Sequence, residues 1–177
     1  AWSWGADNQS VTFRPQTYWP ANSKIKVAAA LKGVEIAPGI YGELDMKAGF
    51  KTGAAMVSTV DANTLTMTVR KNGKVIRKIP VTTGKSGFET RSGIKPIMGK
   101  EGTVVMDAAS GGTPVGSADY YRLTVHYSMR LTSSGEFLHA APWSTGSQGR
   151  SSVSHGCVGM STGNAIWLYD QSKVGDV

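Results

Sequence analysis

An Asn-Gly pair between two alternating runs limits this fold more than any other local feature. Residues 64–70 place Leu65, Met67 and Val69 between polar neighbours, residues 74–83 resume as a partner, and Asn72-Gly73 lies in the link. A two-residue hairpin turn needs left-handed backbone at both central positions, which Asn and Gly tolerate. Side chains of the paired strands then alternate between a core and solvent. The same texture recurs at 55–60, 103–106, 122–131 and 136–140, and 22 glycines among 177 residues supply turns. The chain reads as mainly β.

Two regions can be separated. Residues 1–52 hold strand candidates at 11–13, at 24–27 and in a run ending at Phe50, with Pro15 and Pro20 bracketing a turn at Tyr18 and Trp19. Residues 33–42 read as a turn. So few strands fall short of the roughly seven that close a sandwich. The region therefore reads as the C-terminal part of a β-sandwich, cut on its N-terminal side. Trp2, Trp4, Tyr18 and Trp19 are either a carbohydrate or partner surface or the exposed edge of that partial core. Residues 53–177 form a second unit, with a loop at 84–102 and a long Gly-rich stretch at 107–120. That stretch is either a functional lid over 108–118 or a variable loop. One helix is expected near the end, capped by Ser161 or Thr162, with an apolar face from Ala165 to Tyr169 and a stop at Gly175.

Composition excludes several classes. At 40% hydrophobic and 18% charged the chain is globular rather than disordered. No run approaches the roughly 20 apolar residues of a membrane-spanning helix. The chain lacks an initiator Met and a charged-then-apolar leader, and so reads as a mature or cut chain. A net charge of +7 draws polyanions such as nucleic acid, anionic lipid or a carboxylate-rich bacterial wall, or serves solubility alone. The basic residues are dispersed and lack the aromatic clustering of nucleic-acid binders, so no nucleic-acid partner is expected. The one cysteine excludes an intramolecular disulfide and is either a small buried hydrophobe or a reactive thiol.

Its surroundings favour the thiol. Residues 137–161 hold Cys157 and two of the three histidines, His139 and His155. A cysteine attacks carbonyls as its thiolate, and with a pKa near ~8.5 it needs a base or cation beside it. His155 is two residues away, on the same face if the segment is extended. His139 ends a strand whose pairing can bring its ring to the thiol. Gly156 lets the backbone turn sharply, and the N–H groups of Gly156 and Cys157 can point at a developing oxyanion. The turn also leads toward the helix, whose dipole would favour a thiolate.

Ser154-His155-Gly156-Cys157 resembles the SHGC signature of the L,D-transpeptidase (YkuD-like) family. The upstream His139-Ala140-Ala141-Pro142-Trp143-Ser144 and the downstream helix from Ser161 to Tyr169 resemble its other blocks. The resemblance covers residues 53–177 and is strongest in the last forty. It implies a β-sandwich or barrel-like catalytic domain with one helix after the cysteine, and an immunoglobulin-like domain preceding it. It implies Cys157 as nucleophile, His139 as base oriented by the Ala140 carbonyl, and His155 as an assisting group. It implies an oxyanion hole of Gly156, Cys157 and Tyr121, and substrate contacts from Met106, Tyr121, Trp143 and Ser154. No metal or cofactor is implied. The implied reaction cleaves a tetrapeptide stem before its terminal D-alanine and passes the acyl group to a diamino-acid side chain, giving a 3→3 peptidoglycan cross-link. Acylation by carbapenems and an extracytoplasmic, wall-associated location follow from it.

Two departures stand out. Position 159 is Gly where the family usually carries Asn or Arg, and the chain stops at Val177 where members continue into a last strand. Against the catalytic reading stand a buried structural thiol, hydrogen-bonded structural histidines, and a zinc site of His139, His155 and Cys157. His126 lies on an alternating strand and reads as structural or exposed. A non-catalytic wall-binding domain of the same fold is the alternative function, followed by another cysteine acyltransferase or peptidase. A sortase would want an arginine after the cysteine, and a papain-like order puts Cys before His; neither is present.

Overall fold

A computed structural model describes residues 2–6 and 10–177 of the chain. It divides into two compact units, Ala1–Ala55 and Met56–Val177.

The first unit is three two-stranded antiparallel sheets. β1 (Trp2–Trp4) pairs β2 (Val11–Phe13), β3 (Lys24–Ala29) pairs the later β6 (Met46–Lys51), and β4 (Glu35–Ala37) pairs β5 (Ile40–Tyr41). The 33–42 segment expected as a plain turn thus contains a short hairpin, and Trp2–Trp4 is a strand that the sequence reading passed over. An aromatic chain runs Trp2, Phe13, Trp19, Phe50, with ring centroids 4.8, 5.8 and 5.5 Å apart. All four rings are exposed, so among its described residues this unit has aromatic contact without a closed core.

The second unit carries the site. β7 (Met56–Asp61), β8 (Thr66–Lys71) and β9 (Lys74–Pro80) form a three-stranded meander. Asn72 (φ 51°) and Gly73 (φ 81°) make its expected left-handed turn. Met67 and Val69 are fully buried while their Thr and Arg neighbours are not, as the alternation demands. β10 (Gly99–Asp107), β11 (Arg122–Arg130), β12 (Phe137–Ala140) and β13 (Val158–Met160) follow in that order in a second sheet, with β12 and β13 parallel. α1 (Thr162–Gln171) closes the core.

Met67, Val69, Ile79, Val81, Met129, Met160 and Leu168 are fully buried at the centre. Each such side chain contributes about 1.5–3 kcal/mol by leaving water.

Several boundaries differ from expectation. β10 begins at Gly99, inside the stretch read as loop, because a bulge at Gly102 (φ 64°) breaks the alternation there. β13 was not expected, since three residues show no period. Ser161 caps α1 by accepting the Asn164 N–H, but the helix ends at Gln171, before Gly175, where Ser172 turns extended. Two bridges between segments hold the site: Thr82 pairs antiparallel with Gly159, and Gly84 pairs parallel with Ser154.

Candidate active site

Cys157 stands at the entrance to β13 and is 7% exposed. The turn before it is pinned from several sides. Ser154 Oγ donates to the Cys157 carbonyl at 2.6 Å and accepts the Gly156 N–H at 3.2 Å. Thr90 Oγ1 donates to the Gly156 carbonyl at 2.8 Å while accepting the Gly84 N–H at 2.9 Å. Ser154 and Lys85 add backbone bonds across the Gly84 bridge. Gly156 has φ 112°, which a side chain would strain.

That geometry changes two expectations. The segment bends at Gly156 instead of running extended, so His155 turns away from the face alternation would give it. A strand also separates Cys157 from the helix. Three residues of strand span about 10 Å, and a helix dipole fades within its first turn. The helix therefore does not supply the field expected at the thiol.

His139 lies on β12 directly beside Gly159 in the parallel register and is buried. Its Nδ1 is 2.7 Å from the Ala140 carbonyl. A carbonyl only accepts, so Nδ1 carries the proton and Nε2 of the neutral ring is the free base. Trp143 stacks on the ring at 6.0 Å and 26°. Burial lowers the His139 pKa, and the bond to Ala140 works against that shift. Burial pushes the Cys157 thiol up to about 11, opposed by the Phe137 N–H and reinforced by the Glu136 charge. Both groups therefore rest neutral, and the thiol donates to the Gly135 carbonyl at 3.7 Å. For this thiol to act as a nucleophile, its proton would have to pass to a nearby base.

His155 sits between Phe88 and Tyr121, each 4.7 Å away ring to ring. Its Nε2 is buried without a hydrogen bond and lies 3.7 Å from Asp119 Oδ1, which Lys85 Nζ reaches at 2.6 Å. Burial and the Lys85 charge lower the His155 pKa, with Asp119 opposing. Tyr121 has its hydroxyl pKa raised by burial, then by the charges of Cys157 and Asp107.

A pocket of about 170 Å³ collects Cys157, His139, His155, Tyr121, Met106, Trp143 and Ser154. Every side chain singled out for the site therefore meets there, while Gly156 lies on a second, larger hollow of about 710 Å³. Sequence reasoning missed the walls Thr82, Leu123 and Val153, which lack any local signature, and quoted Ala141 and Ser144 within the upstream block without giving them a place in the site. It also missed Glu136, buried and bonded to Arg91 and Lys95 beside the thiol. His126 is exposed and bonds Thr103 at 3.0 Å, away from the pocket. Among the described residues, no three His, Cys, Asp or Glu side chains converge as a metal site.

Comparison with known proteins gives a consistent result. Residues 55–177 match the L,D-transpeptidase catalytic domain, and residues 1–35 match a bacterial Ig domain. L,D-transpeptidase 2 of Mycobacterium tuberculosis is 37% identical over 171 residues, covering 97% of this chain and 42% of that protein. L,D-transpeptidase 1 of the same species is 40% identical over 173 residues, covering 98% and 63%. The chain thus spans under two thirds of the length of either relative. An LD transpeptidase solved in complex with imipenem aligns at TM-score 0.83 and 40% identity, covering 99% of this chain and 74% of that one. The L,D-transpeptidase of Mycobacterium smegmatis aligns at TM-score 0.85 and 37% identity, with the same coverage.

Proposed function

This chain belongs to the L,D-transpeptidase catalytic-domain family, and from that premise we propose that it forms 3→3 cross-links in peptidoglycan through an acyl-enzyme on Cys157. The observation that carries the proposal is the parallel strand pair that seats His139 and Cys157 in one pocket, with Nδ1 of His139 held by the Ala140 carbonyl.

In the first half-reaction His139 Nε2 takes the thiol proton as Sγ attacks the carbonyl between the diamino acid and the terminal D-alanine. The negative charge that develops on oxygen is met by the Cys157 N–H and the Tyr121 hydroxyl. Gly156 can join them only by releasing Ser154 Oγ, which holds its N–H. The imidazolium returns its proton to the leaving nitrogen, D-alanine departs, and a thioester remains. In the second half the side-chain amine of a neighbouring stem attacks that thioester, His139 takes the amine's proton, and the thiol is regenerated. Preorganised donors of this type contribute about 3–4 kcal/mol each. His155, Met106, Trp143 and Ser154 shape the pocket in which this occurs.

An uncharged resting pair suits the task. A neutral imidazole with a pKa below its ordinary value stays an available base at mildly acidic pH. The first unit, expected over residues 1–52, is read as part of the Ig-like domain that precedes residues 53–177. Stem peptides place the reaction outside the cytoplasm, at the wall.

Intact-mass measurement after incubation with a carbapenem tests this reading. Opening of the β-lactam ring by Cys157 adds the whole inhibitor mass once, and Cys157→Ala gives no adduct. A folded wild-type protein that stays unmodified would select the non-catalytic wall-binding reading instead.

A further inference from the structure

The peptide between Gly156 and Cys157 is held at its carbonyl and left open at its amide. Among the described residues the Cys157 N–H makes no hydrogen bond. The groups around it are engaged. Ser154 Oγ accepts the Gly156 N–H and donates to the Cys157 carbonyl, and the Gly156 carbonyl accepts the Thr90 hydroxyl at 2.8 Å. A trans peptide is planar, and its C=O and N–H point in opposite directions. Whatever holds the Gly156 carbonyl therefore sets where the Cys157 N–H points. Such a hold is needed here, because Gly156, at φ 112° and without a Cβ, does little to restrict the plane by itself.

Thr90 is in turn fixed from both sides. Its Oγ1 receives the Gly84 N–H at 2.9 Å, and its single proton is committed to the Gly156 carbonyl. Residues 84–90 fold back tightly to bring the hydroxyl there. A Cβ on Gly84 would lie 1.9 Å from the Phe88 carbonyl oxygen and 2.7 Å from the Thr90 nitrogen, which only a glycine avoids. The Phe88 N–H closes this turn on the Lys85 carbonyl, and the Lys85 N–H bonds the Ser154 carbonyl, each at 2.9 Å. On the other side the Arg91 N–H is bonded to the buried Glu136 carboxylate at 3.1 Å. Thr90 itself lines neither hollow, so its influence on a substrate passes through the peptide it holds.

We propose that Thr90 is a positioning residue for acyl transfer: its hydroxyl, tied to Gly84, holds the Gly156 carbonyl from behind and so aims the Cys157 N–H at the developing oxyanion. This rests on the acyl-transfer reading above and deepens it by naming what orients the donor. A donor already aimed when charge develops costs no reorganisation at that moment. A donor that swings with a loose glycine peptide loses much of that advantage, since a hydrogen bond weakens steeply as it bends.

The test compares two reactions of Cys157 in wild type, Thr90→Val and Thr90→Ser. Acylation by a tetrapeptide donor, followed as release of D-alanine, passes through an oxyanion. Alkylation by iodoacetamide displaces iodide from a saturated carbon and develops none. Thr90→Val is expected to lower kcat for acylation by about 10²-fold, the cost of an ångström-scale misplacement, with KM little changed. Its alkylation keeps the wild-type rate and pH profile, and Thr90→Ser restores most of the acylation. Acylation at the wild-type rate in Thr90→Val overturns this inference alone. So does an equal fall in alkylation, which marks a disturbed thiol rather than a misdirected amide, and so does a Thr90→Ser variant as slow as Thr90→Val. If Thr90→Val does not fold, Thr90→Ala, which leaves space for water at Gly84 and Gly156, decides on the same comparison. Wild type that is alkylated but neither releases D-alanine nor forms a carbapenem adduct removes the acyl-transfer reading and this inference with it.

Discussion

The two hollows that meet at Met106, Tyr121 and His155 differ in what lines them and in what holds them. The smaller, about 170 Å³, has walls of Thr82, Leu123, Ala141, Val153 and Gly159, with His139 on β12 and Cys157 at the entrance to β13. The larger, about 710 Å³, is lined by Glu89, Arg91, Asp107, Arg130 and Glu136, mostly from loops. Ladder hydrogen bonds and methyl contacts fix the first. Charge pairs fix the second: Lys85 with Asp119, Arg122 with Asp107, and Arg91 and Lys95 with Glu136. Groups fixed by ladder bonds keep their geometry, while loops held by the exposed Lys85–Asp119 and Arg122–Asp107 pairs can rearrange, since such pairs are weak and salt-sensitive. Chemistry that must be placed within fractions of an ångström thus sits on the rigid side.

The largest effect that tests this contrast is expected at His139. His139→Gln keeps a polar side chain beside the strand but removes the base, and acylation by a donor stem falls by about 10²–10⁴-fold. Because burial holds the His139 pKa below its ordinary value, the acid limb of the wild-type kcat/KM profile lies below the usual histidine range near ~6.5. Alkylation of Cys157 in the Gln variant should keep rising with pH toward about 11, where the buried thiol ionises. A plateau near neutral pH would place the activating group elsewhere.

A smaller effect is expected at Glu136, the charged side's one buried anchor. Burial alone would raise its pKa, but hydrogen bonds from Lys95 and Arg91 outweigh that and hold it below the ordinary carboxylate value. A carboxyl whose folded pKa is depressed contributes stability above its unfolded pKa near ~4.3, and that stability is lost as pH falls through the lower folded value. Glu136→Gln should therefore destabilise by about 1–3 kcal/mol at neutral pH, with the difference from wild type shrinking in acid. Chemical denaturation at two pH values reads this directly. An equal difference at both pH values would show that the loss is packing rather than charge.

The smallest effect is expected at Asp119. Its pair with Lys85 is exposed, so Asp119→Asn should leave the thermal midpoint nearly unmoved. It should still lower the His155 pKa further, because Asp119 is the partner that favours the charged ring. An NMR titration of His155 that does not move, or moves upward, would break the assigned Lys85–Asp119–His155 contact.

Much of the second unit could be read locally. Met67 and Val69 alternate with threonines, Asn72-Gly73 demands a left-handed turn, and Ser161 advertises a helix start; each signal lies within a few residues of what it specifies. The site was legible as a set of residues, because a lone cysteine needs a base and two histidines stand near it in the chain. Its arrangement was less so. His155 was expected beside Cys157 by strand alternation, yet the positive φ of Gly156 bends the segment and sends the ring to Phe88, Tyr121 and Asp119. Thr82 and Thr90 gave no sign of their roles, since their partners, Gly159, Ser151 and Gly156, lie 66 or more residues away.

The sequence by itself determined the β texture, the hairpin, the helix cap and the candidates for nucleophile and base, because those follow from backbone propensity and side-chain chemistry within short windows. Tertiary structure alone decided that Cys157 enters a three-residue parallel strand, that Cys157 and His139 rest neutral, and that position 159 leaves no room for a Cβ. Those properties come from burial and from contacts between distant segments, where desolvation and a few tenths of an ångström determine the outcome.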